Sequence, residues 1–444
     1  MDGGAPLAPS RDHGLRCALA SLALTVISGA GQAAAAQGAD HEGGHAADRV
    51  TCASDKSEVA IPACSRIVVD LRENDESRGI ALRNRAFHYQ RAGDLERAIA
   101  DYTSALQRAD GSSVTARVYV NRGVLHAREG EEVAALADYG HAVALDPKIA
   151  SAHANRAQLL ANRGDTDGAL ADLDQAARLD LHDSAIFLAR ASLRARRGDA
   201  AGAIADCSKA IELDPANAAA WRDRGIAYRA IGNEQKAAAD TTQALRLDPG
   251  LATAHLGLGL SAQRAGNFAQ ALQEFDKAVE LDPADARAAK ARGDAYLANG
   301  DPQHAIADFS SALTLDPKMA AAYANRGAAY LMMRDWDAAI ADFTSALALE
   351  PGQYVSYFNR GQAFAARKDS DPAIADFTEA IRINPESSGA YLHRAFLRQA
   401  GADTQAAIAD YNRAIEINRK VPRLCAAAAL CIFTATRPPP RSVI

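Results

Sequence analysis

The sequence predicts an all-α solenoid, in which short helix pairs stack one on another. The segment from Ala320 to Gln353 recurs 34 residues earlier and 34 residues later with modest changes. Each copy contains two apolar stripes at helical spacing, typically separated by Gly-Asp or Gly-Asn and ended by Asp-Pro. Because neither helix can bury its apolar stripe alone, neighbouring copies have to pack against each other.

An arginine marks the register of the copies. It occurs at Arg122, Arg156, Arg190, Arg224, Arg292, Arg326, Arg360 and Arg394, each 34 or 68 residues after the last. Arg85 begins the series 37 residues before Arg122, so the first copy contains three additional residues, within 110–113. The sixth copy has Leu258 in this position. The period predicts ten copies, from Gly79 to Val421.

The residue types at fixed positions of a copy identify its kind. In the copy that begins at Ala320, positions 4, 8, 20, 24, 27 and 32 hold Tyr323, Gly327, Ala339, Phe343, Ala346 and Pro351. This spacing resembles the tetratricopeptide repeat (TPR) family, and the resemblance covers about three-quarters of the chain. It implies a right-handed α-solenoid of about ten 34-residue helix-turn-helix repeats. It also implies that an extended peptide binds along the concave face made by the first helices.

Position 15 lies between the two helices of a copy and is glycine in the first seven copies. Glycine suits the left-handed conformation with which many helices end. The last three copies have Arg334, Lys368 and Ala402 there instead. Since a non-glycine residue forced to positive φ costs on the order of 1 kcal/mol, we expect these three turns to be looser or closed differently.

The arginine is followed 16 residues later by an acidic residue. The predicted pairs include Arg85 with Asp101, Arg122 with Asp138, Arg326 with Asp342, and Arg360 with Asp376. Where the sixth copy has Leu258, its acid changes as well, to Glu274. This joint change favours a structural salt bridge between the two helices of one repeat over a ligand site.

The N-terminal segment, residues 1–36, has the features of a signal peptide. Arg11 and Arg16 precede the apolar stretch 17–30, and Ala33 to Ala36 provide a cleavage site of the A-x-A type. An uncleaved membrane anchor is the alternative. We therefore expect a periplasmic or secreted protein, which contacts a membrane only if this segment is retained.

Two further segments precede the repeats. Residues 37–50 are rich in glycine and alanine and are predicted to form a flexible leader. Residues 51–78 are predicted to form an N-terminal cap. The apolar Ile67, Val68 and Leu71 indicate a capping helix that covers the exposed face of the first repeat.

Two cysteines lie in the predicted cap. Cys52 and Cys64 are spaced as a disulfide pair would be in an oxidising compartment, and two free thiols are the alternative. The order of leader, cysteine pair and repeats is similar to that of exported TPR proteins of proteobacteria.

The tail, residues 422–444, differs in character from the repeats. It is almost entirely apolar from Leu424 to Phe433, whereas the last repeat of a solenoid is expected to present a polar outer face. It is too short to span a membrane. Cys425 and Cys431 lie six residues apart, which suits one helical face poorly. The sequence assigns this tail no function.

The resemblance places the peptide-binding residues on the first helices. An asparagine precedes the arginine at Asn84, Asn121, Asn155, Asn325 and Asn359. Its amide offers two donors and an acceptor, which can hold a peptide backbone whatever its sequence. The series resembles the asparagine ladder of the O-GlcNAc transferase superhelix. The alternative is that these asparagines cap a helix or bond a neighbouring repeat.

Other positions on this face divide by chemistry. The first half carries Arg83, Arg91, Arg117, Arg128, Arg196, Arg222 and Arg229. The last three copies carry Ala324, Leu331, Met332, Phe358, Leu392 and Phe396. Arginine suits carboxylates, and an aromatic-lined surface suits an apolar anchor. We expect an acidic or C-terminal segment at the first half and a hydrophobic segment at the second, with a merely solvated arginine face as the alternative.

Composition and motifs argue against other functions. The net charge of −6 argues against nucleic-acid binding. Residues 41–45 match the zinc-protease pattern H-E-x-x-H, but Gly43 and Gly44 disfavour the helix that this pattern requires. We therefore predict no catalysis, no cofactor and no metal site.

The leading hypothesis is a non-catalytic exported scaffold that binds a protein or peptide partner in its groove. The alternative is a structural assembly platform in an envelope secretion or polysaccharide-export complex. Substitutions at Asn121 and Asn359 separate the two, because only the first hypothesis predicts that they abolish partner binding.

Overall fold

The structure, a computed structural model, describes residues 45–108 and 112–418. These residues form 22 helices and contain no strand, which confirms the predicted all-α solenoid. The chain divides into two compact units, the first ending at Leu247 and the second beginning at Asp248. The predicted signal peptide and residues 419–444 lie outside the described residues.

The described part of the first unit contains twelve helices. They are α1 (Ala46–Cys52), α2 (Ser57–Val69), α3 (Asp75–Arg91), α4 (Leu95–Leu106), α5 (Ser113–Arg128), α6 (Glu132–Leu145), α7 (Ala150–Asn162), α8 (Thr166–Leu179), α9 (Ser184–Arg196), α10 (Ala200–Leu213), α11 (Ala218–Ala230) and α12 (Glu234–Leu247). Helices α3 to α12 form the first five repeats, and α1 and α2 precede them.

The described part of the second unit contains ten helices, which form repeats 6 to 10. They are α13 (Ala252–Arg264), α14 (Phe268–Leu281), α15 (Ala286–Ala298), α16 (Pro302–Leu315), α17 (Ala320–Met333), α18 (Trp336–Leu349), α19 (Tyr354–Arg367), α20 (Ser370–Ile383), α21 (Ser388–Ala400) and α22 (Thr404–Ile417). None of the helices in the described ranges is both long and apolar enough to cross a membrane.

The helices of each unit pack in chain order. Each first helix lies against the second helix of its own repeat, and each second helix lies against the first helix of the next repeat in the unit. The aromatic side chain at position 24 takes part in both contacts, within its own repeat and with the next one. Phe343 is fully buried and packs against Ala339 of its own repeat and Ala363 of the next. Neighbouring repeats therefore share one core, as the predicted stacking requires.

Small residues allow this close packing. A Cβ atom added at Gly259, position 8 of the sixth repeat, would lie 2.5 Å from the Phe275 ring, too close for an ordinary contact. In the fourth repeat Cys207 replaces the aromatic of position 24, and its buried thiol fills part of the same space. Burial raises the pKa of the Cys207 thiol far above its usual range, so it is an unreactive core side chain.

The N-terminal cap consists of two helices instead of the single predicted one. Ile67 of α2 is buried against Cys52 and Cys64, as expected. The expectation that Leu71 contributes to the capping stripe is wrong, because α2 ends at Val69 and Leu71 is 85% exposed. The predicted flexible leader also ends earlier than expected, since α1 begins at Ala46.

The turns of the last three repeats contradict our expectation of a looser closure. Arg334, Lys368 and Ala402 adopt φ of 61°, 71° and 65°, the same left-handed conformation as the glycines of the first seven repeats. The Asp335 amide donates to the Tyr330 carbonyl at 2.9 Å, and Asp301 makes the equivalent bond after Gly300. The packing of the two helices thus imposes the turn, and the non-glycine residue bears the conformational cost.

Candidate binding surface of the first helices

The first helices form a surface within each unit. Contacts join α5 to α7 and α9 to α11 in the first unit. In the second unit they join α13, α15, α17, α19 and α21 in succession. Side chains that leave this side of the first helices are therefore placed next to their counterparts in the adjoining repeat.

The arginine at position 7 pairs with the acid of its own second helix. Arg326 donates from Nε to Asp342 Oδ2 at 2.7 Å and from Nη2 to Asp342 Oδ1 at 2.8 Å. This two-point contact raises the pKa of the Arg326 guanidinium. The same arrangement joins Arg122 to Asp138 and Arg360 to Asp376. These residues lie between the two helices of a repeat and are occupied by one another.

A third hydrogen bond, which the sequence analysis missed, ties the arginine to the preceding repeat. Arg326 Nη1 donates to Ser310 Oγ at 2.9 Å, and Arg360 Nη1 donates to Thr344 Oγ1 at 3.0 Å. In the fourth repeat Arg190 Nη1 instead contacts the Asp174 carboxylate at 2.9 Å. The signal was present, because each of these acceptors lies 16 residues before its arginine.

The sixth repeat replaces the missing arginine. His255 Nδ1 lies 2.7 Å from Glu274 Oε2, so the acid keeps a partner on the first helix although Leu258 cannot pair with it. Its other ring nitrogen, Nε2, lies 3.2 Å from the Pro249 carbonyl oxygen. We predicted a direct contact between positions 258 and 274. Instead, Glu274 pairs with His255, which takes the place of the missing arginine.

Two of the five ladder asparagines are buried, so the expectation that they face outward is wrong for them. Asn155 is 0% exposed and Asn121 is 6% exposed. The Asn121 amide donates to the Tyr102 hydroxyl of the preceding repeat at 3.4 Å. Stacking of the repeats places these amides in the joint between two copies, which is the alternative role considered above.

The other three asparagines are half-buried and differ in their contacts. Asn84 Nδ2 approaches Cys52 Sγ at 3.9 Å, and Asn325 Nδ2 donates to Asp294 Oδ1 of the preceding repeat at 2.7 Å. Asn359 forms no hydrogen bond with any residue in the described ranges. Asn325 finds its acceptor at position 9 of the preceding first helix, where Asp294 lies. The same position before Asn359 is Ala328, whose side chain offers no acceptor.

The arginines of the first unit do not form one uniform basic surface. Arg222 Nε donates to Asp223 at 2.8 Å, and Arg229 lies 3.9 Å from Glu234. Four of the candidate arginines are exposed to solvent: Arg91, Arg117, Arg128 and Arg196. Arg83 is half-buried, and burial lowers the pKa of its guanidinium. No carboxylate in the described ranges pairs with Arg83.

Of the six apolar candidates of the last three repeats, two are exposed and four are half-buried. Met332 is 54% exposed and Phe396 is 66% exposed. Phe358 is half-buried with its ring edge-on to Phe377. Leu331 packs against the core of the eighth repeat and Leu392 against the core of the tenth, so both contribute little surface. Val355, which the sequence analysis did not name, is 60% exposed one helical turn before Phe358.

The histidine pattern at 41–45 lies mostly outside the described residues. His45 is described, and both of its ring nitrogens are occupied. Nδ1 lies 2.8 Å from Asp48 Oδ2, and Nε2 lies 2.9 Å from Asp70 Oδ2. Within the described ranges, no group of three or more histidine, cysteine or acidic side chains is arranged to hold a metal ion.

The two cysteines of the cap lie together. The sulfur atoms of Cys52 and Cys64 are 2.08 Å apart, and both side chains are buried. The pair links the end of α1 to the middle of α2, directly beside the first repeat.

Sequence profiles described as tetratricopeptide repeat match most of the repeat region. One profile matches residues 84–148, 154–218 and 256–320, and three others match 218–251, 320–353 and 354–387. Together these matches cover more than half of the chain. No curated protein matches the sequence.

The chain is also similar to solved structures. The pilF protein of Pseudomonas aeruginosa shares 21% identity at a TM-score of 0.44, over 49% of this chain and 98% of that one. MamA from Desulfovibrio magneticus shares 21% identity at a TM-score of 0.37, over 38% and 97%. YrrB, described as a TPR protein with an unusual peptide-binding site, shares 21% identity at a TM-score of 0.38, over 44% and 97%.

The repeat period, the ten helix pairs and the profile matches agree with one another. The chain belongs to the tetratricopeptide repeat family, whose members act as scaffolds for protein binding.

Proposed function

We propose that the chain is an exported, non-catalytic scaffold that binds an extended peptide or protein segment on its first helices. The principal contacts lie on α17, α19 and α21 of the last three repeats. The observation that carries the proposal is the free amide of Asn359 beside exposed apolar side chains. Ladder asparagines elsewhere are buried or directed at neighbouring residues.

Asn359 lies on α19 close to Val355 and Phe358, which precede it by four residues and by one. Its amide supplies two donors and an acceptor, a set that matches the carbonyl and N–H groups of an extended peptide. Such bonds hold a backbone without selecting its side chains. Selectivity therefore falls to the neighbouring apolar residues.

Apolar side chains on α17, and on α19 where Asn359 lies, suit a hydrophobic anchor residue of the partner. Met332 and Val355 are more than half exposed, and Phe358 presents part of its ring. Methionine adapts its shape to different partners, and aromatic residues dominate the energetics of many interfaces. We infer a partner segment with one or more large apolar residues.

Arg83 favours a carboxylate on a partner segment at the first unit. Its guanidinium is half-buried and has no carboxylate of its own among the described residues. Burying an unpaired charge is unfavourable, and a carboxylate of the partner would compensate it. The exposed Arg117 and Arg128 add positive charge to α5 of the next repeat.

Export is supported by the N-terminal segment and by the cysteine pair. Disulfides persist in oxidising compartments and are rare in the cytosol. Alkylation of the protein isolated from cells without reductant, followed by mass spectrometry, tests this part. We expect Cys52 and Cys64 to stay unmodified and the mature chain to begin near residue 37. Complete alkylation of both cysteines would contradict it.

Cross-linking in intact cells tests the binding surface. A photoreactive phenylalanine analogue at Met332 should yield adducts with a discrete partner, identified by mass spectrometry. The same analogue at Ala375, an exposed residue on the second helix α20, provides the matched control. Identical adducts from both positions would contradict the proposal.

A second variant tests Asn359 itself. Asn359→Ala should reduce the adduct yield at Met332 several-fold, because the backbone of the partner loses its hydrogen bonds. Asn412→Ala removes an exposed asparagine from the second helix α22 and should leave the yield unchanged. Equal yields from the two variants would show that the asparagine takes no part in binding.

A further inference from the structure

The two helices of the N-terminal cap are arranged like the helices of a repeat. Helix α2 packs against α1 and against α3, as the second helices of the repeats pack against the first helix of their own repeat and that of the next. Helix α1 also contacts α3, as α9 contacts α11 and α13 contacts α15. Helices α1 and α2 are therefore placed as the first and second helices of a shortened repeat.

A hydrogen bond from the first repeat gives the register of α2. Arg85 Nη1 donates to Ser65 Oγ at 2.9 Å, as Arg326 Nη1 donates to Ser310 Oγ at the same distance. Ser310 occupies position 25 of its repeat, which assigns Ser65 to position 25 of the cap. The interval from Ser65 to Arg85 is 20 residues instead of 16, because α3 has 17 residues and the first helix α7 has 13. An additional helical turn of α3 thus hides this register in the sequence.

The buried side chains of α2 agree with this register. Positions 20, 24 and 27 hold core side chains in the second helix of repeat 8. In α2 these positions hold Ala60, Cys64 and Ile67, which are buried as well. Cys64 therefore occupies the position of the core aromatic, as Cys207 does in the fourth repeat.

Cys52 and Cys64 occupy two positions that are bonded in other repeats. Cys52 precedes Cys64 by 12 residues. The same interval separates Gln399 from Tyr411, whose hydroxyl donates to Gln399 Oε1 at 2.9 Å, and the first repeat has an equivalent bond. In the cap, the bond between the two sulfur atoms takes the place of this hydrogen bond between the first and second helices.

The arginine–acid pair of the repeats is missing from the cap. Its two positions, 7 and 23, hold Ala47 and Ala63. Arg66 of α2 donates from Nε to Asp48 of α1 at 3.0 Å, but Arg66 is exposed, so solvent screens this pair. The seven residues of α1 are too few for a stable isolated helix. The buried, covalent bond of Cys52 is therefore the strongest connection between α1 and α2.

We propose that residues 46–69 are a shortened repeat whose first helix, α1, stays docked only while Cys52 and Cys64 form a disulfide. Reduction by a dithiol transfers two electrons and two protons to the two sulfur atoms and breaks their bond, while the dithiol becomes a disulfide. Helix α1 then leaves α3, and the Asn84 amide loses Cys52 Sγ, which lies 3.9 Å away in the docked form. The first end of the first-helix surface is thus sensitive to redox state. This inference concerns the cap alone and does not depend on peptide binding.

Burial of the two sulfur atoms determines how reduction proceeds. Cys52 is 2% exposed and Cys64 is 0% exposed, so a thiolate cannot reach either sulfur in the docked cap. Thiol–disulfide exchange requires direct attack on a sulfur atom, and α1 therefore has to open before the bond is broken. We expect slow reduction of the native protein, and the reduced form is best prepared by refolding in reductant.

Hydrogen exchange of α1 tests the proposal. The full-length protein is unfolded, reduced with dithiothreitol and refolded in its presence, and it is compared with protein refolded without reductant. We expect residues 46–52 to exchange at least about tenfold faster in the reduced form, whereas exchange of α9 in the fourth repeat should be unchanged. Equal protection of residues 46–52 in the two forms would overturn the proposal.

A variant without the two cysteines provides the control for the other thiols of the chain. In the Cys52→Ala, Cys64→Ala double variant, residues 46–52 should exchange as fast as in the reduced native chain, with or without dithiothreitol. If dithiothreitol still accelerated their exchange in this variant, another cysteine would control α1 and the proposal would be wrong.

Restoring the arginine–acid pair tests the assigned register. In the variant without the two cysteines, Ala47→Arg together with Ala63→Asp should slow the exchange of residues 46–52 several-fold, whatever the redox state. Ala63→Asp alone should slow it less, because its buried carboxylate lacks a partner. Equal exchange in these two variants would overturn the assignment of α1 as the first helix of a repeat.

Discussion

At the scale of single residues, the arginine at position 7 joins three helices through one guanidinium. In repeat 8, Nε and Nη2 of Arg326 bind the Asp342 carboxylate, and Nη1 binds Ser310 of the preceding repeat. The same side chain therefore stabilises both the repeat and its stacking on its neighbour. Its loss leaves a buried carboxylate without its principal donors.

We expect Arg326→Ala to lower the local stability of α17 and α18 by about 1–3 kcal/mol, because the buried Asp342 loses two charge-assisted hydrogen bonds. Hydrogen exchange of these two helices measures the change. Arg382→Ala is the control, since Arg382 pairs with Glu379 on an exposed surface. That variant should change stability by less than about 0.5 kcal/mol.

A double-mutant cycle isolates the pair itself. Asp342→Asn combined with Arg326→Ala should give a coupling free energy of at least about 1 kcal/mol. A coupling near zero would mean that the loss of stability in the single variants comes from packing, and that the ion pair contributes nothing.

The left-handed turn residues predict a stabilising substitution. Lys368 has φ of 71°, a conformation that glycine adopts without steric cost. Lys368→Gly should raise the midpoint of thermal unfolding, with a gain of up to about 1 kcal/mol. Lys368→Ala keeps the strained conformation and should have little effect. A glycine variant less stable than the alanine variant would show that this turn is not strained.

At the scale of elements, the short helix α1 depends on its attachments. It has seven residues, too few to be stable alone. The Cys52–Cys64 pair holds its end, and His45 holds its start through Asp48 and Asp70. These two hydrogen bonds raise the pKa of His45, with Asp48 the larger contribution. Hydrogen bonds from Arg66 and Arg72 hold the pKa values of Asp48 and Asp70 below their usual range.

These shifts predict how pH affects α1. The raised pKa of His45 makes its stabilising contribution complete below about pH 6.5, and the contribution is lost as pH rises through the raised value. The lowered pKa values of the two aspartates make their contribution complete above about pH 4, and it is lost in stronger acid. Attachment of α1 should therefore be strongest between about pH 4 and 6.5.

Hydrogen exchange of α1, corrected for the intrinsic pH dependence of exchange, tests this prediction. Protection of residues 46–52 should fall at alkaline pH in the native protein. In the His45→Asn variant, these residues should be less protected at every pH, and their protection should not fall further at alkaline pH. His304→Asn, at an exposed histidine in the second unit, serves as the control. A pH profile unaffected by His45→Asn would contradict the assigned role.

At the scale of the whole molecule, each unit presents different chemistry on its first helices. Exposed arginines mark the first unit, and exposed apolar residues mark the last repeats of the second. A partner identified by cross-linking at Met332 allows the contribution of the arginines to be measured. Its dissociation constant as a function of salt concentration reports charge contacts, because salt screens them.

If the partner carries an acidic segment, Arg117→Glu should weaken binding and reduce its salt dependence. Arg222→Glu should have a smaller effect, because the Arg222 guanidinium already pairs with Asp223. Titration calorimetry at two salt concentrations measures both effects. If Arg117→Glu changed neither the affinity nor its salt dependence, the arginines would be a solvated surface that takes no part in binding.

The sequence predicted the fold well because the fold is built from local patterns. Helical periodicity, turn residues and the 34-residue repeat are short-range features, and each survives in the structure as a helix pair. The binding surface was predicted less well. Asn121 and Asn155 proved to be buried, and the free amide of Asn359 could not be told from the other four asparagines by sequence alone.

The amino-acid sequence by itself determined the repeat count, the helix pairs and the partners that lie 16 residues apart, because these depend on spacing within one or two copies. Only the tertiary structure decided which ladder asparagine remains open and which turns become left-handed. Both depend on how neighbouring helices pack. Stacking places position 6 against the preceding repeat, where Asn325 bonds to Asp294, whereas the residue that corresponds to Asp294 for Asn359 is Ala328 and has no side-chain acceptor. We therefore expect the functional residues to lie where neighbouring repeats pack together and the copies differ in sequence.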